Sequence, residues 1–174
     1  FREMPDGRIW PGKFSPNHLF NVYTGQLEEA PWAFYFKTQY PYNVLTDRAG
    51  NTWFTSCGSL HTEVGSILFL EKKTGKMHSM ARLPVFRELV VEQLLEDRHS
   101  NIWVAAHNGY LYRCRANEPS AERFNYLHVF PENYLNLTAN ALLEDCESNN
   151  LWIGTSGGLV MASIPKNGEA PAFR

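Results

Sequence analysis

The sequence predicts an all-β fold of repeated four-stranded sheets, on three observations. A tryptophan-centred motif recurs four times, turn residues are spread along the chain, and aromatic residues are abundant. The copies are Asp6-Gly7-Arg8-Ile9-Trp10, Asp47-Arg48-Ala49-Gly50-Asn51-Thr52-Trp53, Glu96-Asp97 through Trp103, and Glu144-Asp145 through Trp152. The tryptophans stand 43, 50 and 49 residues apart. A repeat of about 40–50 residues is what one four-stranded propeller blade occupies. The 12 glycines and 10 prolines are dispersed, so they read as turn punctuation and not as a low-complexity tract. Aromatics at 14% suit pleated sheet surfaces. The expected architecture is a β-propeller of about four blades, three complete and one partial, near residues 1–40, 41–88, 89–137 and 138–174.

Each element of the repeat has a physical reason. The apolar stretches Asn43–Thr46, Val90–Leu95 and Ala139–Leu143 read as first strands. The acid that follows starts a tight turn, because Asp bonds its own backbone two residues on and Gly or Asn tolerates a positive φ. A second strand carries the Trp, which buries a large area between neighbouring sheets. Small residues after it, Ala105-Ala106 and Gly154-Thr155, let backbones approach. Third strands are expected at Gly65–Leu70, Gly109–Arg115 and Gly158–Ser163. The alternation in Tyr110-Leu111-Tyr112-Arg113-Cys114-Arg115 has the period of two of a half-buried strand. The fourth strands are weakest, near Lys76–Ala81, Glu122–Phe130 and Ala172–Phe173. Leu89–Asp97 is also rich in helix formers, so a helix end is the alternative there. The first copy diverges most: Met4-Pro5 stands where the acid would sit and Pro11-Gly12 follows Trp10. Its blade is expected to lack a full innermost strand.

Composition narrows the function classes. The 174 residues are 44% hydrophobic, enough for a buried core and one domain. The net charge of −2, with signs interspersed, argues against nucleic acid as a partner. No run of about 18 apolar residues exists, so no membrane contact is expected of this segment. The chain opens on Phe1 and shows no signal peptide, as expected of a piece of a longer protein. Cys57, Cys114 and Cys146 lack CxxC spacing; Cys57 and Cys114 read as small buried hydrophobes and Cys146 as exposed.

No catalytic constellation, cofactor motif or metal set is evident: there is no Gly-x-Ser-x-Gly, His-Glu-x-x-His or phosphate-binding loop. A non-enzymatic segment is therefore expected. His61-Thr62-Glu63 offers two ligands, too few for a closed metal site. His107-Asn108-Gly109 reads as a tight turn. Asp47, Asp97 and Asp145 resemble calcium ligands but fall one per blade, which favours turn capping. Asn136-Leu137-Thr138 fits a glycosylation acceptor and reads as chance. The candidate ligand-binding residues are the aromatics Trp32, Phe34, Tyr35, Tyr40 and Tyr42, with Phe36 among them. Sugars bind exposed aromatic faces; the alternative is the core of a divergent outer strand or a domain interface.

The run Leu142-Leu143-Glu144-Asp145 through Asn150-Leu151-Trp152-Ile153-Gly154-Thr155-Ser156-Gly157-Gly158-Leu159 resembles the two-component regulator propeller repeat nearly in full. Leu94–Gly109 resembles it with Ala105 and Ala106 in place of Gly and Thr, and the Asp47 copy matches in its first half. The resemblance covers the chain from about residue 41 onward. It implies the extracytoplasmic, periplasmic sensor region of a membrane-anchored hybrid two-component protein, similar to regulators of polysaccharide uptake. In that family two propellers and an immunoglobulin-like domain precede a membrane helix and a histidine kinase, and a full propeller has about seven blades. The implied role is oligosaccharide sensing, with the remaining blades or a second copy of the chain covering the open flanks. Two alternatives from other classes are a propeller enzyme acting on glycans as a hydrolase or lyase, and a scaffold for another protein.

Overall fold

A computed structural model describes residues 1–36, 41–56, 67–80, 83–86, 89–116, 120–131, 137–145, 147–165 and 169–174. Its described residues form four antiparallel sheets of four strands each, ordered as in the sequence. Sheet 1 comprises β1 (Arg2–Glu3), β2 (Ile9–Trp10), β3 (His18–Asn21) and β4 (Gln26–Glu29). Sheet 2 comprises β5 (Pro41–Thr46), β6 (Thr52–Ser56), β7 (Ile67–Leu70) and β8 (Met77–Ser79). Sheet 3 holds β9 (Val91–Glu96), β10 (Ile102–Ala106), β11 (Tyr110–Cys114) and β12 (Ala121–Asn125). Sheet 4 holds β13 (Ala139–Asp145), β14 (Asn150–Thr155), β15 (Gly158–Ser163) and β16 (Ala172–Phe173).

Two open readings are settled and two expectations are corrected. The innermost strand of the first sheet is truncated, as expected: β1 is only two residues long and pairs Arg2 with Trp10 and Glu3 with Ile9. Residues 91–96 are strand and not helix, because Val91 and Leu94 are buried between sheets, which overrides local helix propensity. The third outer strand ends at Asn125, and Leu127–Val129 forms a 3-10 turn instead of continuing it. The aromatic run after sheet 1 is not an outer strand either; Ala33–Tyr35 is a 3-10 turn linking sheets 1 and 2.

The core is not central to any sheet but lies between successive sheets. Trp10 and Leu19 of sheet 1, with Trp32 and Phe36 of the link, pack on Val44 and Phe54 of sheet 2. Trp53 and Phe69 of sheet 2 share a second core with Val91, Leu94 and Val104 of sheet 3. Trp103 and Leu111 of sheet 3 share a third with Leu142, Leu151 and Ile153 of sheet 4. Each repeat thus buries its Trp against the sheet that follows. The Trp152 face of sheet 4 has no such cover: Leu143 is 65% and Leu159 64% exposed. At the other end Leu27 of sheet 1 is 56% exposed.

The inner strands are stitched side by side. Arg2 Nη1 donates to the Val44 carbonyl at 2.8 Å, Asn43 Nδ2 to the Glu92 carbonyl at 3.1 Å, and Leu142 N to Gln93 Oε1 at 2.7 Å. A second set of bonds joins the turns. Arg48 reaches Glu96 Oε2 through its amide and the Asp97 carbonyl through its guanidinium. Arg98 repeats this one sheet on, to Glu144 and the Asp145 carbonyl.

Candidate functional site

The repeated acids come first because they looked most like ligands. Asp47 Oδ2 accepts from Trp53 Nε1 at 2.8 Å and Asn51 Nδ2 at 2.9 Å, while Oδ1 accepts the Asn51 amide. Asp97 does the same with Trp103 and Asn101, and also takes the His99 amide. These carboxylates are buried and occupied by their own turn, so they hold the Trp and are not open to a cation. Asp145 departs from the pattern. Its turn has one extra residue, since Leu143 pairs with Trp152 where Leu95 pairs with Trp103. Asp145 therefore bonds Ser148 and the Glu147 amide instead of the indole. The Ser148 hydroxyl, followed by the turn amides, holds the Asp145 carboxyl below its ordinary range.

All four turns place the residue three before the Trp in the left-handed region: Gly7, Gly50, Ser100 and Asn149, with φ of 81°, 86°, 61° and 57°. Ser100 and Asn149 adopt it without being glycine, at a cost the buried clamp around Asp97 offsets in the third repeat.

The predicted aromatic cluster does not form one surface. Trp32 is only 2% exposed, lies edge-on to Phe54 with ring centroids 5.3 Å apart, and donates to the Pro16 carbonyl. Phe36 is buried against the same Phe54 ring. Phe34 and Tyr35 are exposed and touch each other, and the Tyr35 hydroxyl donates to the Gly75 carbonyl in the turn between the outer strands β7 and β8. Tyr42 stands on the inner strand β5. Tyr40, His61–Glu63, Asn136, Cys57 and Cys146 lie outside the described residues. Among the four repeat tryptophans, Trp10, Trp53 and Trp103 are buried and Trp152 is half-buried.

Tyr42 leads to the cavity that the sequence did not reveal. The ladder between β5 and β6 skips from Pro41 to Asn43, so Tyr42 is a bulged residue. The same skip recurs at Glu92 in β9 and at Asn140 in β13. A bulge re-aims its side chain and is over-represented next to functional sites. Here it places Tyr42 at an open cavity of about 560 Å³. Its lining includes the inner-strand residues Arg2, Tyr42, Asn43 and Gln93, and Lys13 and Phe14 from the β2–β3 loop. Lys13 Nζ sits 5.3 Å from the Tyr42 ring centroid and 5.7 Å from that of Phe14. Asn43 and Gln93 each spend one amide atom on a neighbouring sheet, which fixes their orientation. Asn43 Oδ1 and Gln93 Nε2 have no protein partner among the described residues.

The bulge at Glu92 yields a second feature at the same ends of the strands. Glu92 Oε1 lies 2.5 Å from His107 Nε2, just past the end of β10. His107 is thus more than a turn residue. Cys114 offers no nucleophile: burial pushes its thiol up to about 12. Among the described residues no group of three or more His, Cys, Asp or Glu could hold a metal ion. No helix among them is long and apolar enough to cross a membrane.

Comparison with known proteins fixes the architecture. No family model and no curated protein matches the chain. A solved structure does: a catalytically inactive virginiamycin B lyase from Staphylococcus aureus with quinupristin, at a TM-score of 0.64 and 14% identity. The match covers 99% of this chain and 53% of that one, so the chain spans about half the length of its structural neighbour. The fold is a β-propeller. At this identity the likeness carries the fold alone.

Proposed function

We propose that this chain is a ligand-sensing, non-catalytic arc of a β-propeller. It would belong to the periplasmic part of a membrane-anchored hybrid two-component protein, with an oligosaccharide as ligand. Further blades, or a second copy of the chain, would cover the faces of sheets 1 and 4. The two-component placement rests on the resemblance of the Trp103 and Trp152 repeats. The observation that carries the binding role is the bulge at Tyr42. It presents an aromatic face beside Asn43 Oδ1 and Gln93 Nε2, an acceptor and a donor held rigidly by their bonds to sheets 3 and 4. An aromatic platform with a few convergent polar groups is how a cleft binds a sugar. Signalling additionally requires that the ligand bind one arrangement of the blades better than another.

The test is calorimetric titration of the chain with a panel of neutral and charged oligosaccharides. At least one should bind saturably, and Tyr42→Ala should weaken it by about tenfold, a loss of about 1.4 kcal/mol. Silence across the panel would remove the proposal.

A second reading is favoured by the Glu92–His107 pair. A histidine oriented by a carboxylate is a usable acid or base, and the structural neighbour is named as a lyase. Glycan hydrolysis or elimination that vanishes in His107→Gln would favour an enzyme over a sensor.

A further inference from the structure

The cavity at Tyr42 is lined by two cationic side chains, Arg2 and Lys13, and by no acidic one. Three arginines of the described structure are ion-paired: Arg8 with Asp6 and Glu28, Arg98 with Glu144, and Arg113 with Glu122. Arg2 is partly buried, and among the described residues its side chain hydrogen-bonds only the Val44 carbonyl. Among the described residues neither Arg2 nor Lys13 forms an ion pair. Burial lowers the Arg2 pKa, the mark of a cation taken from water without a counter-charge. Such a group is costly unless something pairs with it. Nor does composition explain the local excess, since the chain as a whole carries −2.

We infer that the saccharide taken by this cavity is acidic, a uronic-acid residue whose carboxylate pairs with Arg2 and Lys13 while its ring lies on Tyr42. The inference rests on the oligosaccharide reading above and specifies its ligand class. The guanidinium of Arg2 has a planar fork that suits a carboxylate, and its bond to Val44 fixes it on the inner strand. Lys13 is a point charge on an exposed loop, held near the ring of Tyr42, so it can follow the carboxylate. Asn43 Oδ1 and Gln93 Nε2 remain for sugar hydroxyls.

The experiment titrates the full chain with a galacturonate trisaccharide, the neutral galactose trisaccharide and inorganic phosphate. The acidic sugar should bind at least tenfold tighter than the neutral one, and its advantage should shrink with added salt because the paired charges are partly solvated. Lys13→Gln, on an exposed side chain, should remove about tenfold of the acidic affinity and with it most of the preference for the acidic over the neutral sugar. Lys13→Arg should restore it. Equal binding of the two sugars overturns the inference while leaving the sensor reading intact. So does acidic binding that ignores Lys13→Gln, or phosphate that binds as tightly as the galacturonate. Absence of binding by both sugars overturns the inference; the sensor reading falls with it only if the wider oligosaccharide panel is silent too.

Discussion

At the scale of single residues, Asp97 and Asp145 occupy the same place in the repeat and do different work. Asp97 is fully buried and accepts from an indole, an amide side chain and two backbone N–H groups. Removing it leaves several buried donors unsatisfied, each worth about 1–3 kcal/mol. Asp145 lies in a solvated turn and leaves its tryptophan alone. Asp97→Ala should therefore cost about 3–5 kcal/mol in urea unfolding of the chain, and Asp145→Ala about 1 kcal/mol or less. Similar costs for the two would contradict the clamp. Both acids were visible in the sequence as turn formers. The difference was visible too, in the spacing: six residues separate Asp47 from Trp53 and Asp97 from Trp103, but seven separate Asp145 from Trp152. The bond from acid to indole was not, because it depends on the three-dimensional course of the turn. The Arg48 and Arg98 bonds also went unread, although an Arg directly follows the acid in both copies.

At the scale of elements, the strands were legible and the connections were not. Period-two alternation and the Trp spacing located the second and third strands within a few residues, because a buried strand must show its apolar face. β1 escaped since two residues carry no periodicity; its pairing comes from Arg2 and Glu3 meeting Trp10 and Ile9. The aromatic link was read as a candidate recognition surface because exposed and buried aromatics look alike in one dimension. Its 3-10 turn sends Trp32 and Phe36 inward and Phe34 and Tyr35 outward. Trp32→Ala should consequently act on stability, costing about 3–5 kcal/mol as expected for a large buried aromatic, while Phe34→Ala should change it by less than about 0.5 kcal/mol. Thermal unfolding of the two variants checks this; a Trp32→Ala protein as stable as the parent would contradict the inter-sheet core. The bulges at Tyr42, Glu92 and Asn140 were beyond sequence reading. A bulge is an offset between two strands, and no single strand records it.

At the scale of the molecule, one packing rule governs the chain. The first three repeats each place a Trp-bearing face on the next sheet, so three interfaces are filled by four sheets and one face is left bare at each end of the run. The Trp152 repeat, with the fullest family resemblance, is the one whose Trp face lacks a neighbour. The same rule brings the inner strands together and puts the Tyr42 cavity among sheets 1, 2 and 3. Placing the ligand site there, and not on the outer aromatics, is the central claim. It is tested most directly by mapping amide chemical-shift changes in the chain as a binding oligosaccharide is titrated in. The account predicts that the largest changes fall on Arg2, Lys13, Tyr42, Asn43 and Gln93. Changes centred on Phe34 and Tyr35, or on the open face around Leu143 and Leu159, would contradict it.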